Sequence, residues 1–210
     1  MSKFYAVRKG RSQGIFYSWA ECEKQVKGFP GAEYKSFKTL ADAEKYMLSG
    51  KSYECDSNDQ IALAIANIDK ESAIAFVDGS FSNGIYSFGA VIFTKNCEKE
   101  LSCSYKNEAN ASSRNVAGEI MGAKAAISYA IAEQKKNITL YYDYKGIELW
   151  ANKDWKANLP LTREYVKFID EAREKIDINF VHVNAHTGIE YNERVDRLAK
   201  DALLKEPVEE

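Results

Sequence analysis

Ala75-Phe-Val-Asp-Gly-Ser-Phe-Ser-Asn-Gly84 runs an apolar stretch straight into a carboxylate and then into small, permissive residues. A charge at the end of a buried strand is costly unless something compensates it. Asp-Gly is also a turn signal, so taken alone the segment fits a strand ending in a hairpin with Asp78 at the bend. The flanking sequence decides between a turn residue and something more.

Around this stretch, Ala73–Ser80, Ile85–Phe93 and Lys99–Tyr105 form three β-rich runs joined by short turns, the pattern of an antiparallel meander. A long helix is predicted from about Asn115 to Gln134. Its Glu119, Ala123, Ala126 and Ala130 recur at helical spacing, a face small enough to lie close to a sheet. NITLYYD (137–143) reads as a fourth strand and YKGIELWAN (144–152) as a short helix. Leu161, Tyr165, Phe168, Ala172 and Ile176 mark an amphipathic helix, INFVHVNA (178–185) a fifth strand, and Val195, Leu198, Ala199, Ala202 and Leu203 a final helix. The order β-β-β-α-β-α-α-β-α over residues 72–210 implies an α/β unit, a mixed five-stranded sheet flanked by helices.

Residues 1–48 read as a separate small unit. KFYAV, GIFYS and EYKSF are short strand-like runs, and Ser18–Glu21 and Thr39–Asp42 have the spacing of helix capping boxes. The expected order is ββαβα. Residues 49–71 read as a linker, although the run IALAIANI (61–68) fits a strand, a short helix or a packing segment equally well.

At 210 residues and 45% hydrophobic content the chain can bury a normal globular core. No apolar run is long enough to span a bilayer, and MSKFYAVRKG lacks the apolar stretch of an export signal, so no membrane partner is expected. Cys22, Cys55, Cys97 and Cys103 form no CxxC pair, which fits reduced thiols and a cytoplasmic setting. The net charge of −2 is uneven: residues 1–50 carry 9 Lys/Arg against 5 Asp/Glu, and the remainder is acidic. A basic module ahead of an acidic one points to a polyanionic partner held at the N-terminal end.

Asp78 ends the first strand of the larger unit and Asp143 the fourth, and crossover rules let those strands lie side by side with both carboxylates at one sheet edge. Glu119 is placed in the first turn of the long helix, on its sheet-facing side, and Asp196 at the rim of the last helix's buried face. Singly, each has an ordinary reading as a turn, strand-end or helix-surface acid. Four converging acids without matched bases repel one another, and hard divalent cations relieve that repulsion, with Mg²⁺ or Mn²⁺ the natural choices for oxygen ligands.

The segments FVDGS, NVAGEI, YYD and AHTGIEYNERVDRLAK resemble the ribonuclease H catalytic domain in order and approximate spacing, over roughly residues 72–205. FYAVRKGRSQGIFYSW and FPGAEYKSF resemble the RNA–DNA hybrid-binding domain found at the N-terminus of type 1 members. The resemblance implies a ribonuclease H-like fold and an endonuclease that hydrolyses the RNA strand of RNA–DNA hybrids, leaving 5′-phosphate and 3′-hydroxyl ends. It implies two Mg²⁺ ions, with Mn²⁺ as a substitute, held by Asp78, Glu119, Asp143 and Asp196, and a loop histidine, His186, that aids proton transfer or product release. It places Gly79, Ser80 and Asn115, with Glu119, along the RNA minor groove, and Tyr5, Trp19, Tyr34 and Lys35 on one hybrid-binding surface. Double-stranded RNA is a second candidate ligand for that surface, and no protein partner is implied. Val116, Tyr144 and Ser36 depart from the family pattern. So does Trp150–Pro160, which keeps two tryptophans where many relatives insert a lysine-rich handle, so the grip on the polyanion is expected from the N-terminal module. His182, mid-strand between Val181 and Val183, reads as structural.

Overall fold

The computed structural model describes residues 3–49, 58–106, 113–183 and 190–209. The chain divides into two compact units, Met1–Tyr53 and Glu54–Glu210.

In the first unit, β1 (Phe4–Lys9), β2 (Gly14–Phe16), α1 (Trp19–Val26), β3 (Glu33–Phe37) and α2 (Leu40–Ser49) follow the expected order. The antiparallel sheet runs β2-β1-β3. Both predicted N-caps form. The Glu21 amide donates to Ser18 Oγ at 3.3 Å and the Asp42 amide to Thr39 Oγ1 at 3.1 Å, satisfying N–H groups that a helix start leaves open. The far end of α1 is closed by Arg11, whose guanidinium donates to the carbonyls of Lys24 (3.0 Å) and Lys27 (2.8 Å). Val7, Cys22 and Val26 form the apolar centre on the α1 side. On the other side the Arg8 guanidinium lies 3.5 Å from the Tyr46 ring centroid and donates to the Tyr46 carbonyl.

The second unit contains α3 (Asn58–Ala66), β4 (Ser72–Ser82), β5 (Ile85–Phe93), β6 (Glu98–Lys106), α4 (Asn115–Ala132), β7 (Asn137–Tyr142), α5 (Gly146–Ala151), α6 (Pro160–Arg173), β8 (Asp177–His182), α7 (Glu190–Ala202) and β9 (Val208–Glu209). Its sheet runs β8-β7-β4-β5-β6-β9. The β4–β5 and β5–β6 pairs are antiparallel, whereas β4–β7, β7–β8 and β6–β9 are parallel. The sheet therefore has six strands where the sequence predicts five. The sixth, β9, is two residues at the sheet edge, too short to carry an alternation pattern. The segment expected as a linker contains α3, whose Ile61 is fully buried in a cluster with Ile68, Phe76, Tyr141, Val181, Val183 and Val195. Asn58 at its start accepts a hydrogen bond from the Glu190 amide at the start of α7 (3.2 Å). The second face of the sheet carries the larger core, built on α4 through Ala123, Ala126 and Ala130, all with no exposure.

Glycines set how closely the helices approach. A Cβ on Gly118 of α4 would run into the Ser87 carbonyl, and one on Gly79 of β4 into the Asn115 carbonyl and the Glu119 amide. A Cβ on Gly89 of β5 would collide with the Val195 carbonyl of α7. Bare backbone at these points lets both helices touch the sheet main chain to main chain.

Candidate metal centre and nucleic-acid interface

The register of β4 and β7 accounts for the pairing of two acids. Backbone pairing ends at Phe76↔Tyr141, and those rings stack with centroids 4.5 Å apart on one face. Two residues further along β4 the alternation returns to that face at Asp78, and Asp143 follows directly after the end of β7. Glu119 arrives from α4, where the contact between Gly79 and Gly118 leaves no room for the helix to stand off. It occupies the second turn of α4, which begins at Asn115, rather than the first turn expected from the sequence. Asp78, Glu119 and Asp143 each offer a carboxylate oxygen within 4.8 Å of the others.

The electrostatics of this cluster are those of acids held close together, and the charge of Lys200 only partly offsets burial and repulsion at Asp78. Glu119 is only 2% exposed. Burial first, then the charges of Asp143 and Asp78, push its carboxyl up to about 9. Asp78 is pushed up to about 7 by burial and by Asp143, against the opposing effect of the Gly79 amide, which donates to Asp78 Oδ1 at 2.7 Å. The Tyr144 amide opposes the rise at Glu119, and Asp143 adds to it. Glu119 Oε2 is buried with no hydrogen-bond partner among the described residues. Three clustered oxygen donors, two of them held against ionisation, and one orphaned oxygen match what a hard divalent cation requires.

Asp196, half-buried on α7, is not within the three-acid cluster. It contributes to raising Asp78, and its Oδ2 accepts from Lys200 Nζ at 2.7 Å one helical turn on. Gly79 and Ser80 lie half-buried on β4, and the Asn115 carbonyl abuts Gly79, so the structure brings these three together beside Glu119. Val116 and Tyr144 pack against the larger core, Tyr144 with its ring 5.8 Å from Trp150. His186 lies outside the described residues. His182 places Nε2 2.9 Å from the Asp143 carbonyl, a contact that strand periodicity does not reveal.

In the N-terminal unit Tyr5, Trp19 and Tyr34 form a chain of rings with centroids 5.7 and 5.8 Å apart. Trp19 is 42% exposed and Tyr34 44%, so the chain is open to solvent. Lys35 does not join it. Successive strand residues face opposite ways, and the Lys35 ammonium sits 5.9 Å from the Tyr46 ring centroid on the α2 side. Ser36 pairs with Tyr5 across the β1–β3 ladder and is exposed. No helix among the described residues is long and apolar enough to cross a membrane.

Comparison with known proteins follows the same division. A family model described as the ribonuclease H1 N-terminal domain matches residues 3–47, and one described as RNase H matches residues 70–204. Ribonuclease H1 of Mus musculus is 25% identical over 260 residues, covering 96% of this chain and 89% of that protein. Ribonuclease H of Crithidia fasciculata is 54% identical over 44 residues, 21% of this chain and 9% of that protein. Among solved structures, RNase H1 of Halobacterium salinarum NRC-1 shares the fold with a TM-score of 0.53 at 23% identity, covering 63% of this chain and 97% of that one. LC11-RNase H1, solved in complex with an RNA/DNA hybrid, gives 0.51 at 18% identity, covering 62% and 95%. With the nuclease match spanning well over half of its length and the smaller match preceding it, the chain belongs to the ribonuclease H family, in the type 1 form that carries an N-terminal domain.

Proposed function

We propose that the chain cleaves the RNA strand of RNA–DNA hybrids at a two-ion centre in which Asp78, Glu119 and Asp143 are joined by Asp196. As a ribonuclease H it is a hydrolase acting on such hybrids, and the acidic cluster fits a divalent metal site. The observation that carries the finer reading is the three-carboxylate cluster with its orphaned Glu119 oxygen and its two carboxyls raised to about 7 and about 9. Bound Mg²⁺, or Mn²⁺ in its place, supplies Lewis-acid stabilisation of the phosphate and a water of lowered pKa.

The chain's own groups do the rest. Asp78, Glu119 and Asp143 would hold the ions on a rigid backbone, and Asp196, which accepts a hydrogen bond from Lys200, would complete the set. Water loses a proton and adds to phosphorus, the P–O3′ bond breaks, and the 3′ oxygen gains a proton and leaves as a hydroxyl, with the phosphate remaining on the 5′ oxygen of the downstream fragment. His186 assists that proton movement or the departure of product. The β4–α4 contact at Gly79, Ser80 and Asn115 presents polar backbone to the groove, where the 2′-hydroxyl distinguishes RNA from DNA. The open Tyr5–Trp19–Tyr34 rings pack on sugars of the hybrid, and Lys35, on the opposite face of β3, adds positive charge to the module. Double-stranded RNA is the second candidate for this surface.

The test is incubation of end-labelled RNA–DNA hybrid, double-stranded RNA and double-stranded DNA with Mg²⁺ or with EDTA. Cleavage of the hybrid's RNA strand alone, only with Mg²⁺, is expected. Metal-independent cleavage, or equal cleavage of double-stranded DNA, overturns the reading.

A further inference from the structure

The third acid sits at a point where ordinary strand pairing runs out. Among the described residues the last backbone bond between β7 and β8 in this direction is the Val183 amide to the Tyr142 carbonyl at 2.8 Å. Beyond it the chain at Asp143 leaves β7 and turns towards α5, and the described β7–β8 pairing stops at Tyr142↔His182.

His182, the last residue of β8 and the register partner of Tyr142, fills that gap with its side chain. Its Nε2 lies 2.9 Å from the Asp143 carbonyl oxygen. A carbonyl oxygen can only accept, so Nε2 carries the hydrogen and donates. The ring is held edge-on to Tyr142, with centroids 5.8 Å apart. Tyr142 is in turn tied to α5, its hydroxyl donating to Glu148 Oε2 at 2.7 Å.

The same peptide has a second end. Its N–H, belonging to Tyr144, lies close enough to the Glu119 carboxylate to favour its charged form. No cis peptide is present among the described residues, and in a trans peptide the C=O and N–H point in opposite directions. Pinning the carbonyl therefore aims the N–H. An acceptor bond at the carbonyl also polarises the amide and strengthens its N–H as a donor. One peptide plane thus connects a histidine on one side to Glu119 on the other, with the Asp143 side chain branching from its edge.

We propose that His182 is a positioning residue for the acidic centre: through the Asp143–Tyr144 peptide it sets the orientation of both the Asp143 and the Glu119 carboxylates towards a bound divalent ion. It touches neither substrate nor ion, and its effect is read first in ion affinity. The proposal rests on the metal-centre reading given above. Groups that orient metal ligands change affinity or activity by about 10–100-fold when removed.

The full-length protein tests it with Mn²⁺ as the probe. Mn²⁺ binding by titration calorimetry in the absence of nucleic acid is compared for wild type, His182→Phe, His182→Gln and His182→Asn, alongside kcat and KM for the hybrid as Mg²⁺ is varied. Phe keeps the packing on Tyr142 but cannot donate, Gln carries a donor at similar reach, and Asn carries one that falls short. The expected result is Mn²⁺ affinity about tenfold or more weaker for the Phe and Asn variants and largely restored for Gln. The Mg²⁺ needed for half-maximal rate rises in parallel, while KM for the hybrid at saturating Mg²⁺ stays as in wild type.

Wild-type Mn²⁺ affinity in the Phe and Asn variants overturns the proposal, and so does a Gln variant as weak as Asn. Should His182→Phe fail to fold, as judged by circular dichroism in EDTA, the Gln and Asn pair decides alone. Absence of Mn²⁺ binding by the wild type overturns the metal-centre reading itself, which separates that failure from failure of the His182 assignment.

Discussion

Replacing Asp78 by Asn should make the metal-free protein more stable while destroying its activity. In the folded chain the Asp78 carboxyl is pushed up to about 7 from an ordinary 3.8. A carboxyl raised in this way contributes its full share of stability below about pH 3.8, and loses it progressively as pH climbs through about 7. At about 1.4 kcal/mol per pH unit between those two values, the loss is roughly 2 kcal/mol at pH 5 and roughly 4 kcal/mol at pH 8.5. Asparagine cannot ionise, and its Oδ1 can keep the bond from the Gly79 amide. For a chain of this size each kcal/mol moves Tm by about 2–4 °C. Allowing about half the ideal value for the water that reaches a half-buried group, the variant should melt about 4–8 °C above wild type at pH 8.5 in EDTA. The advantage should shrink at pH 5, and added Mg²⁺ should raise wild type much more than the variant. Scanning calorimetry at the two pH values, with EDTA or Mg²⁺, measures all of this. An Asn variant less stable than wild type at pH 8.5 in EDTA would mean that the attraction of Lys200 outweighs burial and repulsion at Asp78, and the reasoning would be wrong.

Four further outcomes follow from named contacts. His186→Ala should slow turnover by about 10²–10⁴-fold without abolishing it, the usual worth of general acid–base help, and single-turnover rates at saturating hybrid check this. Trp19→Ala opens the Tyr5–Trp19–Tyr34 chain and should weaken hybrid binding by about 1–3 kcal/mol with kcat unchanged, as measured by fluorescence anisotropy and steady-state kinetics. Removal of residues 1–53 should leave kcat intact, raise KM by up to about 10²-fold, and flatten its salt dependence. An unchanged KM and salt slope would show that the nuclease unit grips the hybrid without help. Gly118→Ala must push α4 away from the Ser87 carbonyl, so it should lower Tm by several degrees and weaken Mn²⁺ binding together, whereas Ala125→Ser on the same helix should change neither.

Much of this architecture is written locally. Asp78 and Asp143 stand out because each interrupts an apolar run; Asp143 follows the end of β7 as expected, whereas β4 does not end at Asp78 but continues to Ser82 because its partner β5 extends the pairing. The alanine spacing of α4 marks which side of that helix meets the sheet. Ser18–Glu21 and Thr39–Asp42 announce their helices because a capping box is a contact across three residues, contained in the motif itself. What stayed hidden depends on partners far along the chain. The run at 61–68 has no decisive period, and only the apolar cluster around Phe76 and Tyr141 makes it a helix. β9 exists because β6 offers a free edge, which two residues of sequence cannot advertise. Tyr34 and Lys35 are neighbours in sequence but are sent to opposite sides by the pleat. His182 looks like any strand residue until β8 is laid beside β7 and its ring meets the Asp143 carbonyl.

The contacts at Gly79, Gly118 and Gly89 make the spacing of the acidic centre a property of the main chain. Helices that rest on a sheet through side chains shift when those side chains are exchanged, and a catalytic gap between them shifts as well. Here the helix carrying Glu119 and the helix carrying Asp196 each rest on a bare-backbone stop beside the strands. The cores on either face can then drift in composition, larger residues for smaller ones, while the distances between carboxylates are held by atoms that no such exchange alters. Adaptation to a new temperature and preservation of the chemistry fall on different residues, and the second task is confined to a few glycines and acids.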